Sequence, residues 1–206
     1  ALLRWLLTQG EKSIEPVDRK VGLICVKDVY ARRAPGLTCL DALKKAKRFG
    51  DTAVNDSKGC GAIMRVSPLA FGLDRRTVRK IAIETSALTH GHPTAQLAAS
   101  FWAELLADVV STGQVELSAR LLVEQYREIS GSDEVLDAVA AARSAVRDGR
   151  PETVATLGEG WVAEECLAIA LYAVLSSSSF KDGISIALKH SGDSDSCAAV
   201  AGSLLG

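Results

Sequence analysis

Apolar positions recur three and four residues apart along almost the whole chain, and the residues between them are those that start and stop helices. The pattern predicts a helix entered at Thr38, with Asp41 completing a capping-box-like start, running to about Arg48 and closed by Gly50. Asp74 predicts the cap of a helix from Arg75 to about Leu88, and Pro93, at a first-turn position where no N–H is needed, opens a long one to Ser111. Gly113 and Gly131 bracket another helix, and Ser132 caps the next, which Gly149 ends. An apolar helix follows from about Val162 to Leu175, the serine run 176–179 breaks it, Phe180 to Lys189 forms another, and Cys197 to Leu205 is a last apolar helical stretch.

No alternating run is long enough to predict a strand, although Lys20 to Val29 suits helix or strand. Glu11 to Lys20 and Asp148 to Gly160, rich in charge, Gly and Pro, predict loops. Trp5 and Trp102 fall within helical patterns and are expected in the core. The expected fold is all-α, a compact multi-helix bundle forming a single domain over residues 1–206. The chain opens Ala-Leu-Leu-Arg-Trp-Leu-Leu without an initiator Met and stops at Gly206 within an apolar helix, so it is expected to be a fragment.

Composition narrows the function classes. A length of 206 residues supports a sizeable core, and a net charge of -1 supplies no overall basic excess for generic nucleic-acid or anionic-membrane binding. Five cysteines, odd in number and without a C-x-x-C pair, argue against a disulfide framework or a zinc site and for a reducing, cytoplasmic compartment. No run approaches the roughly twenty apolar residues that span a bilayer.

Chemistry concentrates in four places. In Ser191-Gly-Asp-Ser-Asp-Ser196, two carboxylates and interleaved hydroxyls stand at the mouth of a small-residue helix, where oxygens can converge on a hard cation. The same residues could also serve as a helix cap, which needs only one of them. In Asn55-Asp-Ser-Lys-Gly-Cys-Gly61, the glycines permit positive φ and close backbone approach, so N–H groups could face an anion, with Ser57 and Lys58 adding a hydroxyl and a charge. An ordinary interhelical turn has the same composition. His90 and His92 flank Gly91 between two helices, as a polar cluster or as caps. Trp161 precedes a helix as a candidate stacking platform, followed by Glu164 and Glu165, which also suit the helix dipole.

Together, the segments 32–40, 57–65, 88–93 and 191–196, supported by Gly160-Trp-Val-Ala-Glu-Glu165, resemble the ADP-ribosylglycohydrolase family in motif and order over nearly the whole chain. The resemblance implies an all-helical hydrolase with two Mg²⁺ ions that cleaves the glycosidic bond between ADP-ribose and an acceptor, which could be a protein or a small molecule. It implies that Asp193, Asp195 and Ser196 are metal ligands, with the two aspartates catalytic. Ser57, Gly59, Cys60, Gly61, His90 and Trp161 would contact ADP-ribose.

Two departures qualify this. The usual Gly-Asn-Gly is Gly59-Cys60-Gly61 here, which exchanges an amide for a thiol. The family's Thr-Asp-Asp metal block has no counterpart in this sequence, so the chain alone is expected to be inactive. A catalytically silent ADP-ribose binder or crystallin-like structural protein of the same fold is the alternative, and the acceptor and oligomeric state stay open.

Overall fold

A computed structural model describes all 206 residues; 61% of them are helical and none forms a strand. The α-helices are α1 (Leu2–Thr8), α2 (Leu37–Lys45), α3 (Arg75–Ala87), α4 (Pro93–Thr112), α5 (Val115–Tyr126), α6 (Asp133–Ser144), α7 (Pro151–Ala155), α8 (Ala163–Ser176), α9 (Phe180–Ala187) and α10 (Ser194–Leu205). Helices α4 and α8 form the centre. From Thr94 to Leu106, α4 buries every residue but Gln96, and α8 buries Cys166 to Ala173 without a break, as expected of helices that are apolar all round. Around them, α3 packs on α4, α6 and α10 pack on α8, and α9 packs on α10.

One core of 37 buried residues holds this assembly together. Leu6, Leu40 and Leu43 make a separate small cluster between α1 and α2. Trp102 is fully buried and its indole N–H donates to Ser203 Oγ at 3.0 Å; Trp5 is only half-buried, against the small cluster.

Most helix ends follow the local chemistry. The Asp74 carboxylate accepts from the Thr77 N–H at 3.0 Å, Pro93 stands at the start of α4, and Gly113 ends it in the left-handed region at φ +68°. Several expected boundaries differ. Helix α2 starts at Leu37 behind Gly36, since Thr38 turns its hydroxyl to Ser57 Oγ (3.2 Å) and Asp41 pairs with Lys45 instead of capping, and it stops at Lys45, beyond which the Lys47 and Arg48 N–H groups donate to the Asp51 carboxylate (3.1 and 2.9 Å).

Ser132 precedes α6 but bonds back to the carbonyls of Tyr126 (2.6 Å) and Ile129 (2.8 Å), closing the preceding turn. That helix ends at Ser144, well before Gly149. The expected loop 148–160 contains α7, started by Pro151, and the ambiguous segment Lys20–Val29 holds two short 3-10 helices, Leu23–Cys25 and Lys27–Val29. No helix is long and apolar enough to cross a membrane.

Candidate active site

Backbone pairing brings three distant segments to one place. Gly59 and Val162 form an isolated antiparallel bridge; the Cys60 N–H donates to the Trp161 carbonyl at 3.2 Å and the Ala163 N–H to the Lys58 carbonyl at 2.7 Å. The Gly-rich loop therefore lies along the entry of α8. Just upstream, Gly160 adopts φ +78°, and its N–H and that of Glu159 donate to one Glu165 oxygen at 3.1 and 3.0 Å. The turn so fixed presents the Glu159 carbonyl to the Asp193 N–H at 2.8 Å.

Docking of the acidic block depends on Gly192, because a Cβ there would lie 1.9 Å from the Glu159 carbonyl oxygen. The consequence is a side-chain contact across the site: the Cys60 thiol donates to Asp193 Oδ2 at 3.0 Å. Asp193 occupies the position before α10 but makes no side-chain cap bond. Asp195, in the first turn, is exposed and makes no hydrogen bond or ion pair, while Ser196 is buried.

The other expected ligand residues surround this contact. Ser57 is half-buried and its Oγ accepts the Gly59 N–H at 3.2 Å while meeting the Thr38 hydroxyl. Trp161 is 57% exposed beside Cys60, open for stacking. Gly59 and Gly61 do not adopt the positive φ expected of them; what they provide is room for a neighbouring side chain. A Cβ on Gly61 would meet His90 Cε1 and Cys39 Sγ, both at 3.2 Å, and one on Gly59 would lie 3.4 Å from His90 Nε2.

His90 is thus a wall behind the glycine loop rather than an open side chain, with 1% of its surface exposed. Its Nδ1 meets the Thr89 hydroxyl at 2.8 Å. Burial, with the nearby Arg65 guanidinium adding to it, lowers its pKa to about 4, so the imidazole is neutral at ordinary pH. Arg65 holds the wall by donating to the Gly61 carbonyl (3.2 Å), the Thr85 carbonyl (2.8 Å) and Thr89 Oγ1 (2.6 Å). His92 caps α4, its Nδ1 accepting the Thr94 N–H at 3.1 Å. Lys58 does not stand free for an anion; it is paired with Glu134 (2.9 Å) and Glu164.

Asn55, Arg65, Glu165 and Gly192 are not among the expected ligand residues, yet they set the geometry. Asn55 ties the glycine loop to the histidine segment: its amide donates to the Thr89 carbonyl (3.0 Å), and its Oδ1 accepts from Gly91 N–H (2.9 Å) and Ser57 N–H (3.1 Å). A local signal existed for Asn55, which stands two residues before Ser57 as an Asx turn requires. Arg65, close after the glycine loop, carried no signal for its distant partners.

Oxygen donors on Asp193, Asp195 and Ser196 suit a hard divalent cation in type, and Asp193 Oδ1 has no partner within the chain. In number they fall short: no group of three or more His, Cys, Asp or Glu side chains is arranged to hold a metal.

The family model described as ADP-ribosylglycohydrolase matches residues 1–206. The chain belongs to the ADP-ribosylglycohydrolase family. Among solved structures it is similar to a protein described as an ADP-ribosylglycohydrolase-related protein complex, at 25% identity and a TM-score of 0.67 over 82% of this chain. The match spans 57% of the length of that protein's chain. No curated protein matches the sequence significantly.

Proposed function

We propose that this chain supplies the ADP-ribose cradle and half of the metal shell of a hydrolase that removes ADP-ribose from an acceptor. The observation that carries the reading is the Cys60–Asp193 contact, which joins the glycine loop to the acidic block at 3.0 Å although 133 residues separate them. Around that contact, Ser57, Gly59, Cys60 and Gly61 form the cradle, His90 backs it, and Trp161 offers an apolar face to the adenine or ribose. Asp193, Asp195 and Ser196 are the residues that would hold Mg²⁺, two ions being complete only with further acidic ligands. Held there, Mg²⁺ would supply stabilisation of developing negative charge and would make water a better nucleophile at neutral pH. The residues themselves orient the ribose, and a carboxylate among them takes up a proton.

The lack of a three-ligand cluster within the chain favours a second reading, a silent ADP-ribose binder of the same fold. A hydrolysis assay of the full-length protein against ADP-ribosylated arginine, serine and nucleotide acceptors, run with and without Mg²⁺, separates the two. Mg²⁺-dependent release of ADP-ribose that disappears in Asp193→Ala and Asp195→Ala supports the hydrolase. ADP-ribose binding without release supports the silent protein, and neither binding nor release refutes both.

A further inference from the structure

Asp193 makes one side-chain hydrogen bond, and its donor is the Cys60 thiol. Cys60 is itself held on both sides. Its backbone N–H is committed to the Trp161 carbonyl, and its side chain is 7% exposed. Behind it lies the Cys166 thiol of α8, whose proton is held more tightly because its contacts with the Cys197 and Cys60 thiols, and then burial, disfavour the thiolate. Three sulfur atoms from the glycine loop, α8 and α10 thus pack at the base of the acidic block, and only Cys60 reaches forward to a carboxylate.

We infer that Cys60 is a positioning residue for the cation site: its S–H fixes Asp193 through Oδ2 and leaves Oδ1 free to face a divalent metal. A carboxylate on a helix-entry residue has rotational freedom, and one donor on one oxygen removes much of it before a ligand arrives. A cation then meets an ordered oxygen rather than having to order it. The neutral thiol suits this role. A cationic donor would compete with the metal for Asp193, whereas a weak neutral donor orients the carboxylate without cancelling its charge. Because the loop that carries Cys60 also forms the proposed cradle, the same contact keeps cradle and cation site in register.

This inference rests on the proposed metal reading, and Mn²⁺ binding to the full-length protein that carries these residues tests the two separately. Mn²⁺ affinity is read by electron paramagnetic resonance of the free ion, for the parent, Cys60→Ala and Cys60→Ser. Removal of an outer-shell partner of a ligand lowers metal affinity by about tenfold or more, so Cys60→Ala should weaken binding by that order and Cys60→Ser, which keeps a donor, should recover most of it. Urea midpoints measured without metal show whether loss of packing alone follows the same order. In infrared spectra, the S–H band that vanishes in Cys60→Ala should move to higher frequency in Asp193→Ala, as a thiol losing its acceptor does. Parent-like Mn²⁺ affinity in Cys60→Ala, or an unmoved S–H band, overturns the role of Cys60 while leaving the metal reading standing. Failure of the parent to bind Mn²⁺ overturns the metal reading and the inference with it.

Discussion

Gly192 runs against Glu159 so closely that a Cβ on the glycine would lie 1.9 Å from the Glu159 carbonyl oxygen and 2.6 Å from its carbon. Neither atom belongs to a flexible side chain, so Gly192→Ala must displace backbone. The next residue, Asp193, donates its N–H to that same carbonyl at 2.8 Å, and the displacement therefore reaches the acidic block directly. Overpacking of this kind costs about 1–3 kcal/mol. In a chain of this size that corresponds to a fall in melting temperature of roughly 2–4 °C per kcal/mol. Gly36→Ala is the control: the nearest atom to its Cβ would be 4.0 Å away, so the melting temperature should barely change. Calorimetry on both variants checks the contrast, and equal melting temperatures would show that the 159–192 approach relaxes freely.

Gly61 has the opposite character to the one its place in a glycine loop suggests. Its φ is ordinary, and its Cβ would press on His90 and Cys39, both at 3.2 Å. Gly61→Val should therefore lower stability by about 1–3 kcal/mol through overpacking against the wall, and any loss of ADP-ribose affinity should come with it. Affinity lost at unchanged stability, measured by titration calorimetry beside urea unfolding, would return Gly61 to a direct role at the ligand.

The helices were legible where packing alone decides them. In α4 and α8 an apolar pattern wraps the whole helix, and Pro93 and Gly113 mark the two ends of α4, so local and tertiary preferences agree. Boundaries failed where a polar side chain found a distant partner. Thr38 had the composition of a cap but Ser57 as its partner, and Ser132 turned back to Tyr126. Lys58 beside Gly59 looked like an anion ligand, yet Glu134 and Glu164 neutralise it. At the site, motifs marked segments that the fold brings side by side but not which atoms touch, since a contact between Cys60 and Asp193 has no trace in local spacing.

Titration of His90 gives stability a pH dependence of fixed sign. Its pKa is near 4 in the folded chain and about 6.5 when unfolded. Between those values the unfolded state binds more protons, so the contribution is fully present above pH 6.5 and is lost as pH falls toward 4. The full difference is on the order of 3 kcal/mol. Unfolding free energies from pH 7.5 to 4 should fall more steeply for the parent than for His90→Asn. Parallel curves would mean that His90 is protonated in the native state without penalty.

Glu104 carries a prediction that motif reading passed over. It is fully buried in α4, and its carboxylate accepts two bonds from Arg79 at 2.8 Å and one from the Tyr126 hydroxyl at 2.7 Å, with Arg75 close by at 3.4 Å. Arg79 also lies 5.2 Å from the centre of the Tyr126 ring. Glu104→Ala leaves the tyrosine hydroxyl with Ser100 Oγ (2.8 Å) alone and removes the anion that Arg79 and Arg75 share, and breaking a buried pair in this way costs about 3–5 kcal/mol. Urea unfolding of the variant should show that loss. Substitution of Glu104 should act on stability rather than on Mg²⁺ binding, because its partners lie on α3, α4 and α5 and none belongs to the acidic block.

Asp193 and Asp195 differ in what they do without a metal, and this separates a cation site from a helix cap. Asp195 is exposed, touches no donor, and stands in the first turn of α10, so its only structural contribution is to the helix dipole, about 0.3–1 kcal/mol. Asp193 additionally accepts the Cys60 thiol. In the presence of a chelator, Asp195→Ala should therefore lower stability slightly and Asp193→Ala somewhat more. In the presence of Mg²⁺ the order changes in kind: an ion bound only by the folded chain raises the melting temperature by mass action, and both substitutions should abolish that rise. Thermal shift across a Mg²⁺ series, with Ca²⁺ and K⁺ alongside, measures it. A Mg²⁺-induced rise that survives in Asp195→Ala would leave Asp195 as a dipole partner only and remove it from the metal shell.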